Sequence, residues 1–84
     1  MPEEKVGVVK DYFAKISVAG IDITGRLKAG DTIHIKGHTT DFTTTIQSMQ
    51  VEHQSVQEAR KGDAIGIKVP GHTREHDKVF VVTP

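Results

Sequence analysis

Two copies of one local signal constrain this chain more than anything else in it. Lys28-Ala29-Gly30-Asp31 and Arg60-Lys61-Gly62-Asp63 each place a glycine and an aspartate between short runs of β-branched residues. The glycine suits a backbone site with positive φ, and the aspartate side chain can accept a hydrogen bond from the turn it closes. In the first copy the stretch from Ile23 to Gly37 reads as strand, turn and strand, with Thr32 to Lys36 as the second strand. In the second copy Ala64 to Val69 follows the turn as a strong strand. Turns of this kind build antiparallel sheets.

The rest of the chain agrees. Lys5 to Phe13 reads as a first strand carrying Val6, Val8, Val9, Tyr12 and Phe13. Of its two adjacent aromatics, Phe13 is expected in the core. Lys15 to Ala19 alternates, with Ile16 and Val18 on one face, and Ile21 and Ile23 resume the alternation after Gly20. Phe42 to Glu52 is the longest strand candidate. Its apolar points shift from even to odd positions between Ile46 and Met49, which predicts a bulge or bend. Val56 to Arg60 is read as a single helical turn, Pro70-Gly71 as a turn, and Lys78 to Val82 as the last strand. No segment sustains helical periodicity over three turns. Many short strands with turns at regular intervals predict an all-β, small closed barrel.

Composition limits the function. Eighty-four residues make one domain, 1–84, with residues 1–4 expected to be a flexible tail. There is no cysteine, which removes disulfides, thiolate metal sites and cysteine catalysis. Eleven basic residues balance eleven acidic ones, so no global field draws in nucleic acid and any such binding must use a local patch. No apolar run approaches the length of a membrane span, and a cytoplasmic location is expected.

The segments ITGRLKAGDTIHIKG, TTTIQSMQVEHQSVQEARKGDAIGIKVPG and TREHDKVFVV together resemble the second domain of translational GTPases, the elongation factor Tu family. The resemblance runs from about Val6 to Val82. With Tyr12-Phe13 and the Gly37 to Phe42 stretch included, the chain is similar to small stand-alone translation-factor-like proteins. The resemblance implies a closed six-stranded antiparallel β-barrel of the translation-factor domain 2 type. It does not carry the GTPase activity over, because the chain has no Gly-rich phosphate loop ending in Gly-Lys-Ser/Thr. The parent barrel contacts the small ribosomal subunit and, in elongation factor Tu, the aminoacylated end of tRNA. The glutamate that contacts the terminal adenosine there is replaced at the aligned position by Gln50, which keeps hydrogen-bonding capacity without the carboxylate.

Candidate chemistry is sparse. His34 and His38, and His72 and His76, are spaced by four, but four residues of extended chain span about 13 Å, too far to share a metal unless a turn folds them back. Glu52 and His53 are adjacent, and adjacent strand residues point to opposite faces. Ser17, Ser48 and Ser55 lack a nucleophile-elbow context. Lys36, His38, Lys68, His72 and Arg74 are candidates to converge at one end of the barrel, with Arg60 and Lys61 nearby, as a patch for phosphates. The expected binding residues are therefore Gln50, Arg60, Lys61, His72 and Arg74. The expectation is a non-catalytic module with no cofactor or metal that engages ribosome, tRNA or related machinery. The alternative is a protein-interaction subunit that completes a separately encoded enzyme such as a U32-type peptidase, since related barrels occur as appended domains there.

Overall fold

The computed structural model describes residues 3–51 and 54–82, so the Glu52 and His53 pair lies outside the described residues. Ten strands follow one another, with no helix among the described residues: β1 (Glu3–Phe13), β2 (Val18–Ile23), β3 (Arg26–Lys28), β4 (Thr32–Lys36), β5 (Asp41–Thr45), β6 (Met49–Val51), β7 (Gln54–Val56), β8 (Glu58–Arg60), β9 (Ala64–Lys68) and β10 (Lys78–Val82). Glu3 and Glu4 are paired with Val82 and Val81. No helix long and apolar enough to cross a membrane occurs among the described residues.

Eight strands form one antiparallel sheet in the order β5-β4-β10-β1-β2-β9-β6-β7, and β3 and β8 form a separate two-stranded sheet. The sheet wraps a core of Val and Ile side chains from alternate positions, with Ile21, Ile33, Ile35 and Ile67 almost wholly buried. Two irregularities in β1, between Lys5 and Gly7 and between Val9 and Asp11, let this long strand pair on both sides while bending round the core.

The expected closed six-stranded barrel is not found. The large sheet has eight strands, and no ladder joins β5 to β7 among the described residues. The reason lies in the stretch read as one long strand. At Ile46 the backbone leaves the ladder: its N–H donates to the Asp31 carbonyl at 2.9 Å, and its carbonyl accepts from the Gly30 N–H at 2.8 Å. The side chain turns into the core. The segment therefore divides into β5 and β6, at the bend the phase shift predicted, and these sit far apart in the strand order. The helical turn expected over Val56 to Arg60 is also corrected. Gln57 separates β7 from β8, and its carbonyl accepts the Ala29 N–H at 2.9 Å, which ties the small sheet to the first turn.

Both Gly-Asp turns form as expected. Gly30 and Gly62 have φ of 95° and 97°. The Asp31 carboxylate accepts from the Lys28 N–H, and that of Asp63 from the Arg60 N–H, both at 2.9 Å. A third turn repeats the pattern unannounced. The Asp77 carboxylate accepts from the Arg74 N–H at 2.9 Å, and the position held by glycine in the other two is held by His76 at φ 75°. A non-glycine residue in this region carries a backbone penalty.

Candidate functional site

Strand register places a trough on the outside of the sheet. Across β1, β2, β9 and β6, residues Asp11, Gly20, Gly66 and Gln50 stand directly opposite one another. The core residues Ala19, Ile21, Ile65 and Ile67 point inward, so this row points out. Two adjacent glycines leave the middle of the row without side chains. The result is a groove of about 490 Å³ whose walls include Phe13, Ile16 and Val18 on one side and Asp22 and Ala64 on the other.

The irregularity at Val9–Asp11 sets this arrangement. It inserts Lys10 into β1 and shifts the phase, so Tyr12 packs against the core and Phe13 faces outward. Phe13 was expected in the core; it is 52% exposed. Ile16 belongs to the turn between β1 and β2 rather than to a strand, with its N–H donating to the Phe13 carbonyl at 3.2 Å, and it is 61% exposed. Phe13 and Ile16 are the exposed large hydrophobic residues among those described, and both stand at the same groove. Paired exposure of this kind marks a contact surface more than scattered exposure does.

The other expected residues are dispersed. Gln50 lies in the groove. Arg60 stands opposite Arg26 across the small sheet. Glu58 serves both guanidinium groups, 2.6 Å from Arg26 and 3.7 Å from Arg60, and the neighbouring Arg26 holds its carboxyl below the usual carboxylate range. Lys61 lies in the turn leading to Ala64 at one end of β9, whereas His72 and Arg74 follow its other end, about 16 Å away by strand rise. The His72 ring lies 4.5 Å from that of Tyr12, and Arg74 Nε donates to Thr39 Oγ1 at 2.9 Å. Lys36 and His38 share a cavity with His76, Lys78 and Phe80, not with Lys68.

His34 gathers two carboxylates from other strands. Its Nδ1 lies 2.7 Å from Glu3 of β1, and its Nε2 contacts Asp41 of β5. These nitrogens point in opposite directions, so the three groups do not converge on one point, and no metal-holding cluster of three such residues occurs among the described residues. The Asp41 contact and then the Glu3 contact raise the His34 pKa. A neutral imidazole has one N–H and can donate to only one carboxylate. A raised folded-state pKa contributes stability that is fully present below the ordinary value of 6.5 and is lost as pH rises through the folded-state value. Stability measured by urea titration from pH 6 to 9 is therefore expected to fall across this window, and His34→Gln to flatten that part of the curve.

The family model of elongation factor Tu domain 2 matches residues 16–81. The chain is 39% identical over 79 residues, 93% of its length, to an uncharacterized protease of Methanocaldococcus jannaschii, and 36% identical over 77 residues, 89% of its length, to a collagenase of Porphyromonas gingivalis. It spans about a fifth of the length of these curated relatives, 19% of the first and 21% of the second. In fold it is similar to the C-terminal domain of a protein assigned to the U32 peptidases in Geobacillus thermoleovorans. Two crystal structures of that domain superpose with TM-scores of 0.89 and 0.86, at 19% and 20% identity, covering 95% and 90% of this chain and 93% and 96% of theirs. Of the expected resemblance, the likeness to elongation factor Tu domain 2 holds, whereas the relatives are described as a protease and a collagenase rather than as stand-alone translation factors.

Proposed function

Because the chain belongs to the elongation factor Tu domain 2 family, we propose that it serves as a non-catalytic binding domain working with the catalytic part of a U32-type peptidase. The observation that carries this reading is the likeness of nearly the whole chain to a segment of far longer protein-cleaving enzymes. The alternative drawn from the sequence thus becomes the main reading, in place of a role with ribosome or tRNA.

The site supports binding rather than catalysis. His34 is the histidine held by carboxylates within hydrogen-bonding reach among the described residues, and both its ring nitrogens are occupied. Neither is left to take a proton from a nucleophile. The groove offers Phe13 and Ile16 as apolar anchors, Gln50 as a hydrogen-bonding group, and Asp11, Asp22 and Lys10 around its border. An apolar centre with a polar rim is the composition of a protein contact.

The test mixes this chain with the separately prepared catalytic part of a U32-type peptidase from the same organism and follows both by sedimentation velocity. A one-to-one complex is the expected result. A chain that sediments apart from the peptidase overturns the reading, and salt-sensitive binding to tRNA or ribosomal subunits would then favour the translation role.

A further inference from the structure

We propose that Lys36, His38, His76 and Lys78 form a phosphate-binding site, that Phe80 beside them receives a planar base, and that the cavity they line takes a mononucleotide. The inference is independent of the peptidase reading and concerns a different part of the surface from the groove around Gln50.

The register of β4 and β10 puts Lys36 directly opposite Lys78. Like charges directly opposite on an antiparallel ladder repel and destabilise it. Among the described residues neither lysine makes an ion pair that would offset this. The carboxylate best placed to do so is Asp41, opposite Lys36 on β5, and it is engaged by His34 instead. A cavity of about 530 Å³ beside the lysines is lined by Lys36, Gly37, His38, His76, Lys78 and Phe80; the carboxylate nearest this lining is that of Asp77, buried behind Gly37 and turned to the Arg74 N–H. That volume lies within the range of small-molecule sites. An anion would relieve the repulsion that the fold leaves in place.

His76 is a second, independent sign. It occupies the left-handed position of the third Asp-closed turn, where the two other turns have glycine. Non-glycine residues held in this region cluster at active sites and ligand clamps, and the His76 N–H is fixed here by the Val9 carbonyl at 2.8 Å. The turn places His76 on the cavity that His38 also lines.

The chemistry then selects the ligand. Two ammonium groups and two imidazoles supply several N–H donors from different directions. A phosphate, with at least three acceptor oxygens, uses such a set better than a carboxylate with two. Phe80 stands two residues beyond Lys78 on the same face of β10, only partly buried, with the His34 ring 6.3 Å away on its β4 side. A phosphate held by the lysines thus places its substituent along an aromatic surface, and base stacking on such a surface is favourable. The formal net charge of zero supplies no global field that would draw in a long polyanion.

The test is a titration of the whole chain with AMP, inorganic phosphate and adenosine, followed by amide chemical shifts. AMP is expected to move the amides of residues 36–38 and 76–80 in a saturable way. Phosphate should move the 36–38 and 76–78 amides at higher concentration. Adenosine should bind at least roughly tenfold more weakly than AMP, the worth of one charge-assisted contact or more. The double change Lys36→Gln and Lys78→Gln should weaken AMP by at least about tenfold without lowering the thermal midpoint, because it removes a repulsion. His76→Gly should raise the midpoint by roughly 4 °C through relief of strain and still weaken AMP. No saturable shift with AMP, or equal affinity in the double variant, overturns the proposal. Equal affinity for AMP and phosphate removes the base contact at Phe80 and overturns the nucleotide assignment. A short oligoribonucleotide that binds much more tightly than AMP, with steep salt dependence, overturns it in favour of RNA. Retention of the peptidase complex by the double variant separates this outcome from that of the peptidase reading.

Discussion

Gly37→Ala is expected to destabilise the protein by about 3 kcal/mol, measured by urea denaturation at pH 7. A Cβ at position 37 would lie 1.8 Å from Asp77 Oδ1 and 2.5 Å from its Cγ. Nothing at the far end of a flexible chain can move aside here. Asp77 is 4% exposed, its carboxylate accepts from the Arg74 N–H, and its carbonyl accepts from the Val9 N–H at 2.7 Å. Displacing the carboxylate leaves the Arg74 N–H without its partner and disturbs the tie to β1. A domain of this length has roughly 4–13 kcal/mol of stability in all, so the loss is a large share of it. Gly20→Ala is the control. Its Cβ would meet nothing closer than 3.5 Å, which is ordinary contact, and the change should be within about 0.5 kcal/mol of neutral. A Gly37→Ala protein as stable as the Gly20→Ala protein contradicts the account of the third turn.

Leu27→Ala is expected to cost about 4 kcal/mol. Leu27 is 0% exposed, yet it belongs to a strand of three residues paired only with the equally short β8. Three ladder positions hold such a strand weakly, so the buried leucine is the main anchor of the small sheet. The cavity left behind has little means of collapsing, because Ala59 opposite is already small. Thermal unfolding followed by circular dichroism measures the effect. A loss under 1 kcal/mol contradicts the view that the small sheet is packed onto the same core as the large one.

What was legible in the sequence follows from the range of the interactions involved. The Lys28–Asp31 and Arg60–Asp63 turns could be read because a glycine with positive φ and an aspartate closing the turn are local requirements. The third turn has the same hydrogen bonds, but His76 stands where the glycine was the signal. The bend at Ile46 showed as a phase shift, whereas its consequence, an eight-stranded sheet in place of a closed six-stranded barrel, depends on bonds to Gly30 and Asp31. The false helical turn at Val56–Arg60 lost to pairings with β6 and β3, which no local propensity reports. Phe13 was misplaced because one inserted residue, Lys10, reverses the inside and outside faces beyond it.

The sites show the same limit. Gln50 was singled out through the family resemblance. The groove it lines is made by Gly20 and Gly66, which are distant in sequence and become neighbours only through the β2–β9 register. Lys36 and His38 were noted as basic candidates, but the pairing of β4 with β10 gives them His76 and Lys78 as companions rather than Lys68. Lys68 points outward on β9 opposite Val18.

We propose the outer groove as the surface on which a U32-type peptidase docks. Isothermal titration of the peptidase with wild-type chain and with Gly20→Thr tests it most directly. Threonine fits a strand, and the Cβ it adds at Gly20 makes only ordinary contacts, so the fold should persist while the groove is filled. Gly20→Thr should weaken the complex by at least roughly tenfold, as follows from blocking the centre of a contact. The Lys36→Gln and Lys78→Gln protein should bind as wild type does. An unchanged affinity for Gly20→Thr, with its thermal midpoint intact, would contradict this proposal.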